Sequence, residues 1–120
     1  KAIIARDIKL KRAYSPPSAG DGTRILIGRL WPRGVKKSNA GIDRWIKDIA
    51  PCTGLRKWFR HDPARWQGFR RRYAAEIHDH PDQLAELRAA ARIGSVTLVF
   101  AARDELHNDA VVLRDVLLGR

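Results

Sequence analysis

Apolar positions divide the chain into short alternating, continuous and helical stretches. From residue 7 to 14, Ile8, Leu10 and Tyr14 fall on one face and Lys9, Lys11 and Ala13 on the other, with Arg12 interrupting the apolar side. Period two predicts a strand near a sheet edge. Residues 1–6 read as a loose end. Residues 15–22 hold two prolines, two glycines and an aspartate, the composition of a loop. Over 24–31 the run Ile25, Leu26, Ile27 predicts a strand covered on both faces. Gly28 inside it suggests a bulge or a close backbone approach. Pro32 has no amide hydrogen for a ladder and stops it.

Ile42, Trp45, Ile46 and Ile49 fall at i, i+3, i+4 and i+7, which predicts an amphipathic helix with Asn39 as its N-cap, Asp43 near its positive end and Pro51 beyond it. A shorter helix is expected over 53–59. Asp62 followed by Pro63 is a strong helix start, and Trp66, Phe69, Tyr73 and Ile77 form the stripe that follows. A helix over 82–92 buries Leu84, Leu87 and Ala91, with Gly94 expected to close it in a left-handed conformation. Val96 to Ala102 is a continuous β-branched and aromatic run, predicting a central strand. Asn108 caps a last helix whose inner face is Ala110, Leu113, Val116 and Leu117.

Strands separated by helical stretches imply parallel crossovers and a three-layer α/β fold, with a short, mostly parallel sheet flanked by helices. In such sheets, ligands bind beyond the carboxyl ends of the strands. The loop after the second strand, carrying Arg29, Trp31, Arg33 and Gly34, leaves one such end. The loop carrying Asp104, His107 and Asn108 leaves another. If their strands are parallel neighbours, these loops form opposite walls of one crevice.

At 120 residues the chain is expected to be a single domain, 1–120. No internal repeat is visible, and no apolar run approaches the roughly 20 residues of a membrane helix. The opening apolar run is too short for a signal peptide. With Lys1 first and no methionine anywhere, the natural start is expected to lie outside this numbering. A lone cysteine, Cys52, excludes an internal disulfide and fits a reducing cytoplasm. Charge changes the picture most. Lys and Arg number 24 against 13 Asp and Glu, a net of +11, which favours anionic partners or a solubilising arginine surface. Oligomeric state is left open.

The order of several segments is recognisable. RLWPRG at 29–34 is followed by Trp45 with Ala50 and Pro51, then by LRKWFRHDP at 55–63 with Trp66, Phe69 and Tyr73. Thr97 with Leu98, then Ala101 to Asp104, then His107 with Asn108, complete the series. Together, from Arg12 to Leu118, they resemble the YeaO-like family, domain of unknown function 488. The resemblance implies a small cytoplasmic α/β domain of bacteria and archaea; it supports a fold and a site location and implies no activity. Members commonly carry an acid where this chain has Gly28 and a serine where it has Cys52.

The candidate chemistry is an anion site. Arg29, Arg33, Lys36 and Lys37 lie on one loop that feeds a helix, and a helix start offers free amides and about half a positive charge. Guanidinium groups bind phosphate or carboxylate through paired hydrogen bonds, and Trp31 can stack on a ring. The competing reading pairs Arg29 with Asp104 and buries Trp31 in the core. His107 with Asp104 is the candidate acid–base pair of a hydrolase or transferase. His61 could lean into the crevice. His78 and His80 are two apart on a helix, so they do not share a face, and no metal site is expected. Cys52 and Arg56 have the wrong spacing for a cysteine phosphatase loop. No Gly-rich nucleotide fingerprint is present and no cofactor is implied. The arginine-rich stretch 56–72, interleaved with Trp58 and Trp66, gives the runner-up reading, a sequence-indifferent nucleic-acid surface. The leading expectation is a crevice lined by Arg29, Trp31, Arg33, Gly34, His61, Asp104, His107 and Asn108 that binds an anionic small molecule.

Overall fold

A computed structural model describes residues 2–120. Four parallel strands stand in the order β1-β4-β2-β3, with β1 at Ile8–Arg12, β2 at Thr23–Ile27, β3 at Arg44–Ile46 and β4 at Val96–Phe100. β4 is the buried centre. Val96 pairs with Ile8 on one side and Thr23 on the other, and every residue of the strand is buried. This is the central strand expected from its unbroken apolar run. β1 is an edge, as alternation predicted.

The sheet is flanked unequally. Helices α2 (Thr53–Phe59), α3 (Trp66–His78), α4 (Pro81–Ile93) and α5 (Asp109–Leu117) join Ile8, Ile25, Ile27, Leu98 and Phe100 in the main core. The expected stripe on α3 is fully used, and the Tyr73 hydroxyl donates to the Ile49 carbonyl at 2.7 Å. Burial pushes the Tyr73 phenol well above its ordinary pKa. The other face carries Ala13, Leu26 and Val99 beneath Trp31, Val35, Ile42 and Trp45. Among the described residues its α-helix is a single turn, α1 (Lys37–Ala40), reached by the Arg24 guanidinium through the Ala40 carbonyl at 3.0 Å.

That face holds the largest departure from the sequence pattern. Ile42 to Ile49 is not a helix. Gly41 takes a left-handed conformation (φ 60°) and ends α1, in which Asn39 sits instead of capping. Arg24 and Asp43 then clasp each other: the Asp43 amide donates to the Arg24 carbonyl, and the Arg24 amide donates to the Asp43 carboxylate at 2.8 Å. Arg44, Trp45 and Ile46 continue as a strand beside Ile25, Leu26 and Ile27. Trp45 faces the smaller cluster and Ile46 the main core. Two alternating residues plus two loop residues thus imitate a helical stripe.

Smaller corrections follow the same logic. β2 ends at Ile27, not at Trp31. An added Cβ at Gly28 would meet only the Leu30 carbonyl oxygen, at an ordinary 3.8 Å; the residue takes φ 151°, which suits glycine where the strand breaks. Gly94 is extended, not left-handed. Ala13 rather than Tyr14 is buried. The supposed loose start includes a 3-10 turn, Ala5–Asp7, closed by the Ile4 amide on the Asp7 carboxylate, while residue 1 lies outside the described residues.

One buried charge cluster anchors the loop-covered face. Asp21 accepts from Arg24 Nη1 at 2.6 Å, from Lys11 Nζ at 3.1 Å, and from the amide and hydroxyl of Ser18 at 3.0 and 2.9 Å. Burial pushes its carboxyl up, but these four donors together hold it far below the ordinary carboxylate range. Gly22 follows at φ 64°, where an added Cβ would lie 2.2 Å from the Ser95 carbonyl oxygen. Only glycine permits this approach of the loop to the start of β4.

Candidate functional site

Because β2 and β4 are parallel neighbours, their carboxyl ends open on the same side. A cavity of about 670 Å³ lies there, lined by residues 26–33, from the end of β2 and the loop after it, and by Ala101, Ala102, Asn108 and Asp109, from the second loop and the start of α5. The two loops therefore face each other across one crevice. Pro51, Arg56, Phe59, His61 and Phe69 complete the wall from the helix layer.

The first loop is held by its own polar groups. The Arg29 guanidinium donates to the carbonyls of Ala50 and Pro51 at 3.3 and 3.2 Å. It does not pair with Asp104. Trp31 is half-buried; its indole N–H donates to the Val35 carbonyl at 2.6 Å and its ring meets Trp45 edge-on, with centroids 5.5 Å apart. The Arg33 carbonyl accepts from the Tyr14 hydroxyl at 2.9 Å, and Arg33, exposed, is part of the cavity lining.

The second loop is a compact turn. Asp104 Oδ1 accepts the amides of Leu106 and His107 at 2.9 and 3.1 Å, and Oδ2 lies 2.9 Å from Nδ1 of His107. The Leu106 amide and then His107 hold the Asp104 carboxyl below its ordinary pKa, against a smaller upward push from burial. Asn108 spends its side chain on structure, accepting from the Val111 amide at 3.1 Å and donating to the Asp104 carbonyl at 2.9 Å. His107 turns edge-on to Trp66, with centroids 5.1 Å apart.

Of the eight residues expected at the crevice, Arg29, Trp31, Arg33, His61 and Asn108 line the cavity; Gly34, Asp104 and His107 do not. The Asp104–His107 pair forms outside it. The helix after the basic loop is one turn long and supplies no wall of the cavity. The helix whose start does open there is α5.

Two charged lining residues were not expected. Arg56 reads in the sequence as an ordinary exposed helix arginine. Asp109 reads as an acid placed to suit a helix start. Burial pushes the Asp109 carboxyl up to about 6, although the Ala110 amide, His61 and Arg56 all favour its ionised form. Position 61 carries a further mark. Arg60 and His61 have φ of 51° and 55° in succession, a conformation that costs non-glycine residues about 1–3 kcal/mol each. The paired left-handed residues end α2 and turn the chain so that His61 reaches the cavity beside Phe59, with ring centroids 5.8 Å apart.

Among the described residues no group of three or more histidines, cysteines or acids could hold a metal ion. Cys52 caps α2, accepting from the Leu55 amide at 3.4 Å, and its thiol lies 3.0 Å from the Glu76 carboxylate. No helix of the described residues is long and apolar enough to cross a membrane.

The profile of the family described as the inactive DUF488-N3 subclade matches residues 7–120. The uncharacterised protein YeaO of Escherichia coli K12 is 40% identical over 111 residues, covering 92% of this chain and 96% of that protein. The uncharacterised protein Rv3073c of Mycobacterium tuberculosis H37Rv is 39% identical over 113 residues, covering 94% of this chain and 95% of that protein. No solved structure matches the chain.

Proposed function

The chain belongs to the DUF488 family, in the branch described as its inactive DUF488-N3 subclade, and from that premise we propose a binding domain without turnover whose crevice takes an anionic small molecule. The supporting observation is the lining itself. Arg29, Arg33, Arg56 and His61 border one cavity with a single carboxyl, Asp109, among them. Between these polar groups lie Ile27, Phe59, Phe69, Ala101 and Pro51. A cavity of this size and mixed lining suits a ligand with a flat apolar body and one phosphate or carboxylate. Arg56 and Arg33 supply the charge-assisted bonds, since Arg29 is already shared with two carbonyls.

Turnover through His107 and Asp104 gains no support from this geometry. Their imidazole–carboxylate contact lies outside the lining and packs on Trp66. A cytoplasmic setting accords with a lone exposed thiol at Cys52.

The test is a thermal-shift titration with phenyl phosphate, inorganic phosphate and neutral benzyl alcohol. Phenyl phosphate raises the melting temperature most, and Arg56→Ala abolishes the rise. A ligand at 100 times its dissociation constant adds about 2.7 kcal/mol. Equal shifts from benzyl alcohol, or an undiminished response in Arg56→Ala, would reject an anion site here.

A further inference from the structure

The loop-covered face of the sheet carries a pattern of which the crevice uses only Trp31. Three aromatic rings, Tyr14, Trp31 and Trp45, each have one cation above them. Arg12 lies 5.1 Å from the Tyr14 ring centre, Lys37 5.6 Å from Trp31 and Lys47 4.1 Å from Trp45. The rings are linked. Trp31 and Trp45 touch edge-on, and Tyr14 bonds to the carbonyl of Arg33, two residues beyond Trp31. Both indoles are pinned by their own N–H groups, to the carbonyls of Val35 and Gly28. Their orientations are therefore set before any partner arrives.

We infer that this face is a docking surface for single-stranded nucleic acid. Its phosphates are bound by Arg12, Lys37 and Lys47, and its bases lie along the ring row. Cations alternating with fixed rings match a chain that alternates phosphates and π faces. An acidic protein surface would use the charges and leave the rings without a purpose. Nearby acids oppose this weakly. Asp21 is neutralised by Lys11 and Arg24, while Asp43 is exposed and accepts from the Arg24 amide. Asp48 is the exposed acid beside Lys47. A layer this thin also leaves Trp31 and Trp45 half-exposed, whereas on the opposite face Phe59, Trp66, Phe69 and Tyr73 are buried and Trp58, under Arg65 and Arg72, is half-exposed. The surface shares Trp31 with the cavity lining but none of its cations, since Arg12, Lys37 and Lys47 do not line that cavity.

Fluorescence anisotropy of the full chain with labelled oligothymidine and oligouridine tests it. Binding is expected at low salt, with log affinity falling by about 0.7 per phosphate neutralised for each tenfold rise in salt. Lys37→Glu with Lys47→Glu weakens binding at least about tenfold and flattens that slope by about one contact per lysine. Lys37→Gln with Lys47→Gln, gentler on the fold, does the same to a smaller degree. Lys57→Glu with Arg71→Glu, an equal charge change on the helix side, leaves affinity within about twofold once the loss of overall attraction is screened. Arg56→Ala, which impairs the crevice, leaves oligonucleotide binding intact. No binding at low salt overturns the inference. So does an equal loss from the helix-side variant, an unchanged affinity in both lysine variants, or a duplex bound more tightly than the single strand.

Discussion

The indole N–H of Trp45 donates to the carbonyl oxygen of Gly28 at 2.7 Å. One bond thus joins the third strand to the residue where the second strand breaks and the crevice loop begins. Trp45→Phe keeps a ring against Leu26 and Val99 but removes this donor. It is expected to cost about 1 kcal/mol and to speed amide exchange at residues 28–31 more than in β4. Uniform exchange changes would show that the bond does not govern the loop.

Asp21 and Arg24 form the buried ion pair under the loop-covered face, with side chains 7% and 4% exposed. Asp21→Ala leaves the guanidinium buried without its carboxylate, and removing one partner of such a pair costs about 3–5 kcal/mol. The loss is read as a lower urea midpoint with an unchanged m-value. Because the Asp21 carboxyl is held far below its unfolded value, its contribution is present above the unfolded pKa. It is lost progressively as pH falls from the unfolded value, ordinarily near 3.8, down through the depressed folded one. Acid unfolding in mild acid should therefore be no earlier in wild type than in a variant lacking Asp21.

Asp109 behaves in the opposite sense. Its carboxyl is pushed up to about 6 in the fold from 3.8. The folded state holds this proton longer than the unfolded state, so the group lowers stability as pH rises from about 4 to about 6, with no further change above. Asp109→Asn removes the penalty. It should raise the melting temperature near pH 7, by at most about 3 kcal/mol in free energy, and leave it unchanged below about pH 4. The carboxyl faces Arg56 on α2, His61 on the turn after it and the Ala110 amide. Anion affinity at the crevice should therefore rise as pH falls through about 6, and Asp109→Asn should remove that part of the rise. A His61→Gln background separates it from any contribution of the imidazole.

Gly22 sets how closely the first long loop can approach β4. A methyl there would strike the Ser95 carbonyl, and its φ of 64° disfavours any side chain. Gly22→Ala is expected to lose about 1–3 kcal/mol, measured by thermal unfolding. Gly54→Ala is the control, as nothing lies within 4 Å of an added Cβ at that helix position; it should be neutral or slightly stabilising.

Much of this protein is written in local sequence. The cap at Asn108, the Asp62–Pro63 start (which opens a 3-10 turn, Pro63–Arg65, ahead of α3), the α3 stripe and the buried run of β4 each depend on residues within a turn or two of one another. Local signals of this kind survive without knowledge of the rest of the chain. That the strands run parallel followed from their alternation with helices, while the pairing of β2 with β4, the condition on which the two loops face each other, came from the fold. What tertiary structure alone decided was anything settled by a distant partner. Ile42 to Ile49 carries a helical spacing, yet Arg24 and Asp43 bond across 19 residues and draw it into the sheet. Arg56 and Asp109 look like routine helix-surface and helix-start residues until two segments 53 positions apart meet at one cavity, where burial changes what the acid can hold. Pairing energy and desolvation belong to the assembled fold, and no window along the chain contains both halves of either.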